Sequence, residues 1–169
     1  MRVVKPEAIY LKHDVTPYEF IEKVGRTCYK SEEYITEGSA EKFVAGLVKR
    51  EHMAMLEHET IYLEVNSEFM LDFFRNDMFS EDESLRFFKY SNLENGAYIL
   101  SGSFRSFYDL FKKGYGNTNV SVPFLVKTLR ERHPLVFGVF EDNSYYFEKD
   151  YKITVLKRQE FIDKYHLYK

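Results

Sequence analysis

The sequence predicts an α+β fold, a mixed or antiparallel sheet with helices packed on it, and three observations predict it. Apolar side chains alternate over short runs, as in Ile61, Leu63 and Val65 between Tyr62 and Glu64, which is strand periodicity. Elsewhere they recur at helical spacing behind capping residues. Strand–turn–strand patterns occur beside the interleaved helices, which argues against a doubly wound parallel sheet. At 169 residues with no repeat, low-complexity tract or Pro/Gly/Ser linker, the chain reads as one domain over 1–169.

The elements follow in order. Residues 7–12 alternate and predict a strand. Thr16-Pro17-Tyr18-Glu19 is a capping box with Pro at the first helical position, opening a helix with Phe20, Ile21, Val24 and Cys28 on its apolar face. Gly38-Ser39 starts a second helix with Phe43, Val44, Leu47 and Val48 inward. A strand spans 60–65, and Asn66-Ser67 caps a third helix carrying Phe69, Met70, Phe73 and Phe74. After a polar loop over 76–83, residues 84–90 predict a strand, Asn95-Gly96 a turn and 97–100 a short strand. Ser101-Gly102-Ser103 opens a helix with Phe104, Phe107, Tyr108 and Phe111 inward. Residues 121–132 form a helix with Phe124, Leu125, Thr128 and Leu129 on one face, and 136–140 with 145–147 read as a hairpin.

Composition excludes several classes. With 24 Lys+Arg against 27 Asp+Glu, net −3, there is no basic excess to indicate nucleic-acid binding. The hydrophobic share of 44% supports a packed core rather than disorder. No apolar run approaches the roughly 18–20 residues of a membrane helix, and no signal h-region opens the chain. A single cysteine, Cys28, leaves no internal disulfide or thiolate-rich metal site; on its helix it reads as an inert core thiol. The expectation is a soluble, cytoplasmic domain. Charge divides unevenly: residues 1–84 carry 10 basic and 18 acidic residues, net −8, and residues 85–169 carry 14 and 9, net +5. Ordinary surface variation accounts for this, or the second half faces an anion such as a phosphate ester.

Candidate functional residues lie in a few segments. His52 and His58 are six apart, on opposite sides of an α-helix, so a metal pair is not expected. Either one histidine packs near the core and the other faces solvent, or His52 and Glu57 line a cleft and offer hydrogen bonds to a heteroaromatic ring. Ser84 and Arg86, alternate residues of a strand, share a face. A hydroxyl beside a guanidinium makes a phosphate clamp, unless Arg86 simply pairs with Glu81, Asp82 or Glu83. Arg105 falls in the first turn of its helix, where free N–H groups and the dipole favour an anion, or is a solvated arginine behind an ordinary cap. Pairing of Ser84, Arg86 and Arg105 in surface salt bridges favours a plain oligomeric interaction module instead.

At these residues the sequence resembles the flavin-dependent thymidylate synthases, the thymidylate synthase-complementing family. The early segment Arg26-Thr27-Cys28-Tyr29-Lys30-Ser31 is similar to the family's Arg-x-(Ser/Cys)-(Tyr/Phe) helix. His52 to His58 with the following strand resembles Gly-His-x-x-x-x-Glu-His, with Glu51 in place of the glycine. Residues 75–87 resemble the Arg-His-Arg … Ser-x-Arg-Tyr hallmark, reading Arg75-Asn76-Asp77 at its start, Ser84-Leu85-Arg86-Phe87 at its end, and a slightly shorter gap. Ser103-Phe104-Arg105-Ser106 resembles the late Asn-x-Arg-Ser. The family-like core spans about 7–140, and 141–169 are an unassigned C-terminal extension.

The resemblance implies a thymidylate synthase-complementing-like fold and a homotetramer. It implies methylation of dUMP to dTMP with FAD as electron carrier and methylenetetrahydrofolate and NADPH as co-substrates, the cofactor carrying the chemistry. By the same resemblance His52, Glu57, Arg75 and Asn76 meet the flavin, Ser84, Arg86 and Arg105 bind dUMP, and Arg105 is the catalytic position, holding or polarising the substrate. Asp77, an anion where the family has an arginine, underlies an alternative: a non-catalytic or repurposed nucleotide-binding homologue. So does the short 87–102 connection between the two substrate motifs.

Overall fold

A computed structural model describes residues 15–74, 87–93, 96–113, 121–147, 149 and 151–165. The expected strand over 7–12 lies outside them. Helix α1 (Pro17–Tyr29) opens with the expected capping box: Thr16 Oγ1 accepts from the Glu19 N–H at 3.3 Å, and Glu19 Oε2 accepts from the Thr16 N–H at 2.8 Å. Helix α2 (Ser39–Lys49) buries Ala40, Val44, Leu47 and Val48. A 3-10 helix (Met53–His58) leads into β1 (Thr60–Asn66), where Ile61, Leu63 and Val65 are buried as their alternation demands. Helix α3 (Ser67–Phe74) follows, with Asn66 Oδ1 accepting from the Phe69 N–H at 3.3 Å.

Strand β2 (Lys89–Asn92) precedes β3 (Ala97–Ser103), which runs directly into α4 (Phe104–Lys112), and α5 (Ser121–Arg132) and the short α6 (Pro134–Phe137) come next. Strand β4 (Ile153–Leu156) and α7 (Arg158–Tyr165) end the described chain. Among the described residues four strands form one antiparallel sheet in the order β2-β3-β1-β4, so the fold is α+β with helices packed on an antiparallel sheet.

Leu63 of β1 stands opposite Leu100 of β3, and Ile61 opposite Gly102. Gly102 leaves a flat spot that the Phe88 and Phe107 rings fill: a Cβ there would come within 2.8 Å of Phe88 and 3.3 Å of Phe107. Those rings meet edge-on at 4.9 Å. The other face of β1 is not left bare, because Phe161 of α7 stacks on Tyr62 at 4.4 Å and Lys164 pairs with Glu64. The unassigned extension thus completes the sheet. Tyr151 just before β4 packs on Phe69 and Phe124 and donates its hydroxyl to Asp72.

Several expectations are corrected. The hairpin over 136–147 does not form: Pro134 starts α6 and Ser144–Tyr146 is a single 3-10 turn. Proline at the first helical position with Val136 and Phe137 adjacent and both buried is a helical pattern, not a strand alternation. Of the strand expected over 84–90, Phe87 and Phe88 are not strand and β2 begins at Lys89, whereas the one over 97–100 extends through Ser103, so Ser101 and Gly102 are strand residues and Ser103 alone caps α4. Cys28 is exposed, because the buried side of α1 is formed by Ile21, Glu22 and Gly25. The buried face of α5 runs through Val122, Leu125, Val126 and Leu129, with Phe124 and Thr128 only half-buried.

His133, between α5 and α6, sits among Tyr18, Phe104 and Phe137 at 4.8 to 6.5 Å between ring centroids. Burial, with Arg132 beside it, pushes its pKa from 6.5 down to about 4. The folded state therefore binds fewer protons than the unfolded state between those values, and stability falls as the pH drops through that window. From pH about 7 to about 5, wild-type protein should lose up to about 2 kcal/mol more than a His133→Leu variant in urea denaturation. Parallel stability profiles would contradict this.

Candidate functional site

The site is set where β1 begins and β3 ends. Thr60 stands opposite Ser103, and the Phe104 N–H donates to the Glu59 carbonyl at 3.0 Å. That register lays the 3-10 helix alongside α4. Ser103 caps α4, its Oγ accepting from the Ser106 N–H at 3.1 Å and lying 2.8 Å from Ser106 Oγ. The Phe104 and Ser106 N–H groups, two of those at the start of α4, are thus both engaged within the protein.

His52 is placed by the end of α2. Its N–H donates to the Leu47 carbonyl at 2.9 Å and the Glu51 N–H to Val48 at 3.1 Å, a Schellman ending whose left-handed residue is Glu51, φ 56°. Glycine relaxes such a position, and here a glutamate holds it. Its carboxylate reaches across to Lys112 Nζ at 2.7 Å, and this contact holds the Glu51 carboxyl below its usual range and Lys112 above its own. Two turns earlier on α4, Arg105 Nη1 meets Glu57 Oε1 at 2.6 Å, and its Nε meets Asp109 Oδ2 at 3.3 Å. Two ion pairs thus reach α4 across the same groove, one from the end of α2 and one from the 3-10 helix.

The groove has two chambers joined at Arg105, Asp109 and Lys112. One, of about 640 Å³, is lined by Glu57, Phe87, Ser103, Arg105, Ser106, Asp109, Lys112 and Lys113. The other, of about 520 Å³, is lined by Tyr29, Glu51, His52, Met53, Ala54, Arg105, Tyr108, Asp109 and Lys112. Both volumes suit a small ligand. Phe87, 65% exposed, presents a ring at the first chamber.

Of the sequence-predicted residues, His52, Glu57 and Arg105 come together here, His52 in one chamber and Glu57 in the other. His52 and His58 are both exposed, contrary to the expectation that one would pack near the core, because Met53 and Leu56 take the inward positions of the 3-10 helix. Arg75, Asn76, Asp77, Ser84 and Arg86 lie outside the described residues, as do Glu81, Asp82 and Glu83. Arg26 is a packing residue: it holds the buried Glu22 at 2.7 Å, which also accepts from Ser39 Oγ at 2.8 Å, and covers the Phe43 ring at 4.9 Å. Among the described residues no group of three or more His, Cys, Asp or Glu is gathered for a metal ion, and no helix is long and apolar enough to cross a membrane.

Sequence reasoning missed Asp109, Lys112 and the bridging role of Glu51. The first two were visible as Arg105, Asp109 and Lys112 at i, i+4 and i+7, a polar stripe opposite the aromatic face of α4.

Because Glu51 holds a left-handed backbone that glycine adopts freely, Glu51→Gly should raise the urea midpoint, although it removes the exposed pair with Lys112. A lower midpoint would show that the cross-groove pair outweighs the backbone strain.

No protein-family model matches this chain, and none of the curated proteins compared with it matches.

Proposed function

We propose that the chain is a divergent homologue of the flavin-dependent thymidylate synthases that binds a pyrimidine nucleoside monophosphate, dUMP, in the groove around Arg105. The observation that carries this reading is the meeting of Glu57 and Arg105, 48 residues apart in sequence, at 2.6 Å across that groove. By the resemblance Glu57 belongs to the flavin contacts and Arg105 to the dUMP contacts, and here the two meet. The chemistry of the first chamber supports it. A guanidinium and the Lys112 and Lys113 ammonium groups suit a phosphate, Ser103 and Ser106 offer hydroxyls, and the exposed Phe87 ring is a face for a planar base.

Conversion of dUMP to dTMP with FAD, methylenetetrahydrofolate and NADPH is the fuller form of this proposal. The described residues by themselves do not make a flavin dinucleotide cradle. The expected flavin positions Arg75 and Asn76 lie outside them, and no step is derived through the flavin. The work of these residues is binding and orientation: Arg105 holds the phosphate or ring oxygen, and Phe87 positions the base. A homo-oligomer, tetrameric in the family, belongs to the same proposal, with the exposed Leu71, Tyr90, Tyr145 and Tyr146 as surface for a partner copy.

One observation favours a second reading. Arg105 is paired at the surface with Glu57 and Asp109, all three side chains well exposed, as a plain interaction module would have it. Calorimetric titration with dUMP separates the two. The proposal predicts saturable binding by the wild-type chain that Arg105→Ala weakens about tenfold or more, the range for charge-assisted hydrogen bonds. Unchanged affinity in Arg105→Ala, or no binding at all, would favour the interaction module.

A further inference from the structure

Arg105 already holds an anion. Its Nη1 lies 2.6 Å from Glu57 Oε1, and that carboxylate comes from the opposite wall of the groove. The Asp109 contact is longer, 3.3 Å, and comes from one turn further along the same helix. A guanidinium binds an oxyanion along the edge of its planar fork, so the Glu57 carboxylate occupies a position that an incoming phosphate needs. Arg105 is 39% exposed and Glu57 56% exposed. Such a pair is screened and contributes little to stability, and it opens readily.

We propose that Glu57 is an internal stand-in for the ligand's anion, a competitor that a phosphate ester displaces from Arg105 on binding. This rests on the reading of the groove as an anion site. The exchange is one oxyanion for another at the same fork, so the guanidinium is not left bare at any stage. A phosphate monoester carries about −1.5 to −2 charge at neutral pH against the −1 of a carboxylate, which drives the exchange. Until then Glu57 keeps Arg105 extended along the groove instead of sampling solvent. The Glu51–Lys112 pair, 2.7 Å long and two turns further along α4, holds the neighbouring cation in the same manner. Pre-orientation is gained at the expense of a few-fold in affinity.

The test titrates dUMP calorimetrically, at one fixed salt concentration, into the wild-type chain and the Glu57→Gln, Glu57→Asp and Arg105→Ala variants, each checked for native circular dichroism. Competition predicts that Glu57→Gln binds about two- to fivefold more tightly, the range set by an exposed ion pair. Glu57→Asp, which keeps the charge but withdraws it by one methylene, should also bind more tightly. If Glu57→Asp binds as the wild type does while Glu57→Gln tightens, a general field effect is at work and the competitor role is overturned. Weaker binding in either variant overturns it too, since Glu57 would then hold the ligand. In both cases binding by wild type and its loss in Arg105→Ala leave the anion site standing. If wild type and both Glu57 variants bind neither dUMP nor inorganic phosphate, the competitor and the anion site fall together.

Discussion

The candidate site depends on the joint at which β1 starts and β3 stops. Thr60 and Ser103 are the last register pair there, the Phe104 N–H is tied to the Glu59 carbonyl at 3.0 Å, and Ser103 is both the final residue of β3 and the cap of α4. No loop intervenes between strand and helix, so α4 leaves the sheet in a direction fixed by the ladder. The 3-10 helix is fixed by the same ladder from the other strand. That joint sets Glu57 and Arg105 on facing walls of the groove, and the ion pair is a consequence of that geometry rather than its cause.

Stability and function separate accordingly. Aromatic packing holds the joint: Phe104 lies at 4.8 Å from His133 and 5.8 Å from Phe137, and Phe107 meets Phe88 over Gly102. Burial of such rings contributes on the order of 1.5–3 kcal/mol each, whereas exposed ion pairs contribute about 0–1 kcal/mol. The charged rim of the groove therefore contributes little to holding the joint. Glu51 fits this division, since a left-handed glutamate works against the backbone while reaching across the groove to Lys112.

How much of this the sequence disclosed depended on the range of the forces involved. Local patterns were legible: the Thr16 capping box, the alternation of β1, the cap and aromatic face of α4. These are fixed by neighbours within a turn or a strand. Where two periods compete over a short apolar run, as at Val136 and Phe137, the run itself suggests a strand, and Pro134 at a helix start is the deciding cue. Cys28 was placed inside because its helix looked apolar there, whereas the buried side of α1 includes Glu22, a carboxylate that becomes tolerable only once Arg26 and Ser39 bind it. The site was legible as separate motif fragments. That Glu57 and Arg105 meet, and that Asp109 and Lys112 join them, is a product of sheet register, which no local pattern contains.

On the proposed reading, an anionic nucleotide settles on the Arg105 groove. The most direct measurement is a titration of isotopically labelled protein with dUMP followed by backbone amide chemical shifts in solution NMR. Saturable shifts concentrated at Ser103, Arg105 and Ser106 and across the groove at Glu57 are expected. Shifts confined to another surface, or none up to saturating nucleotide, would contradict it.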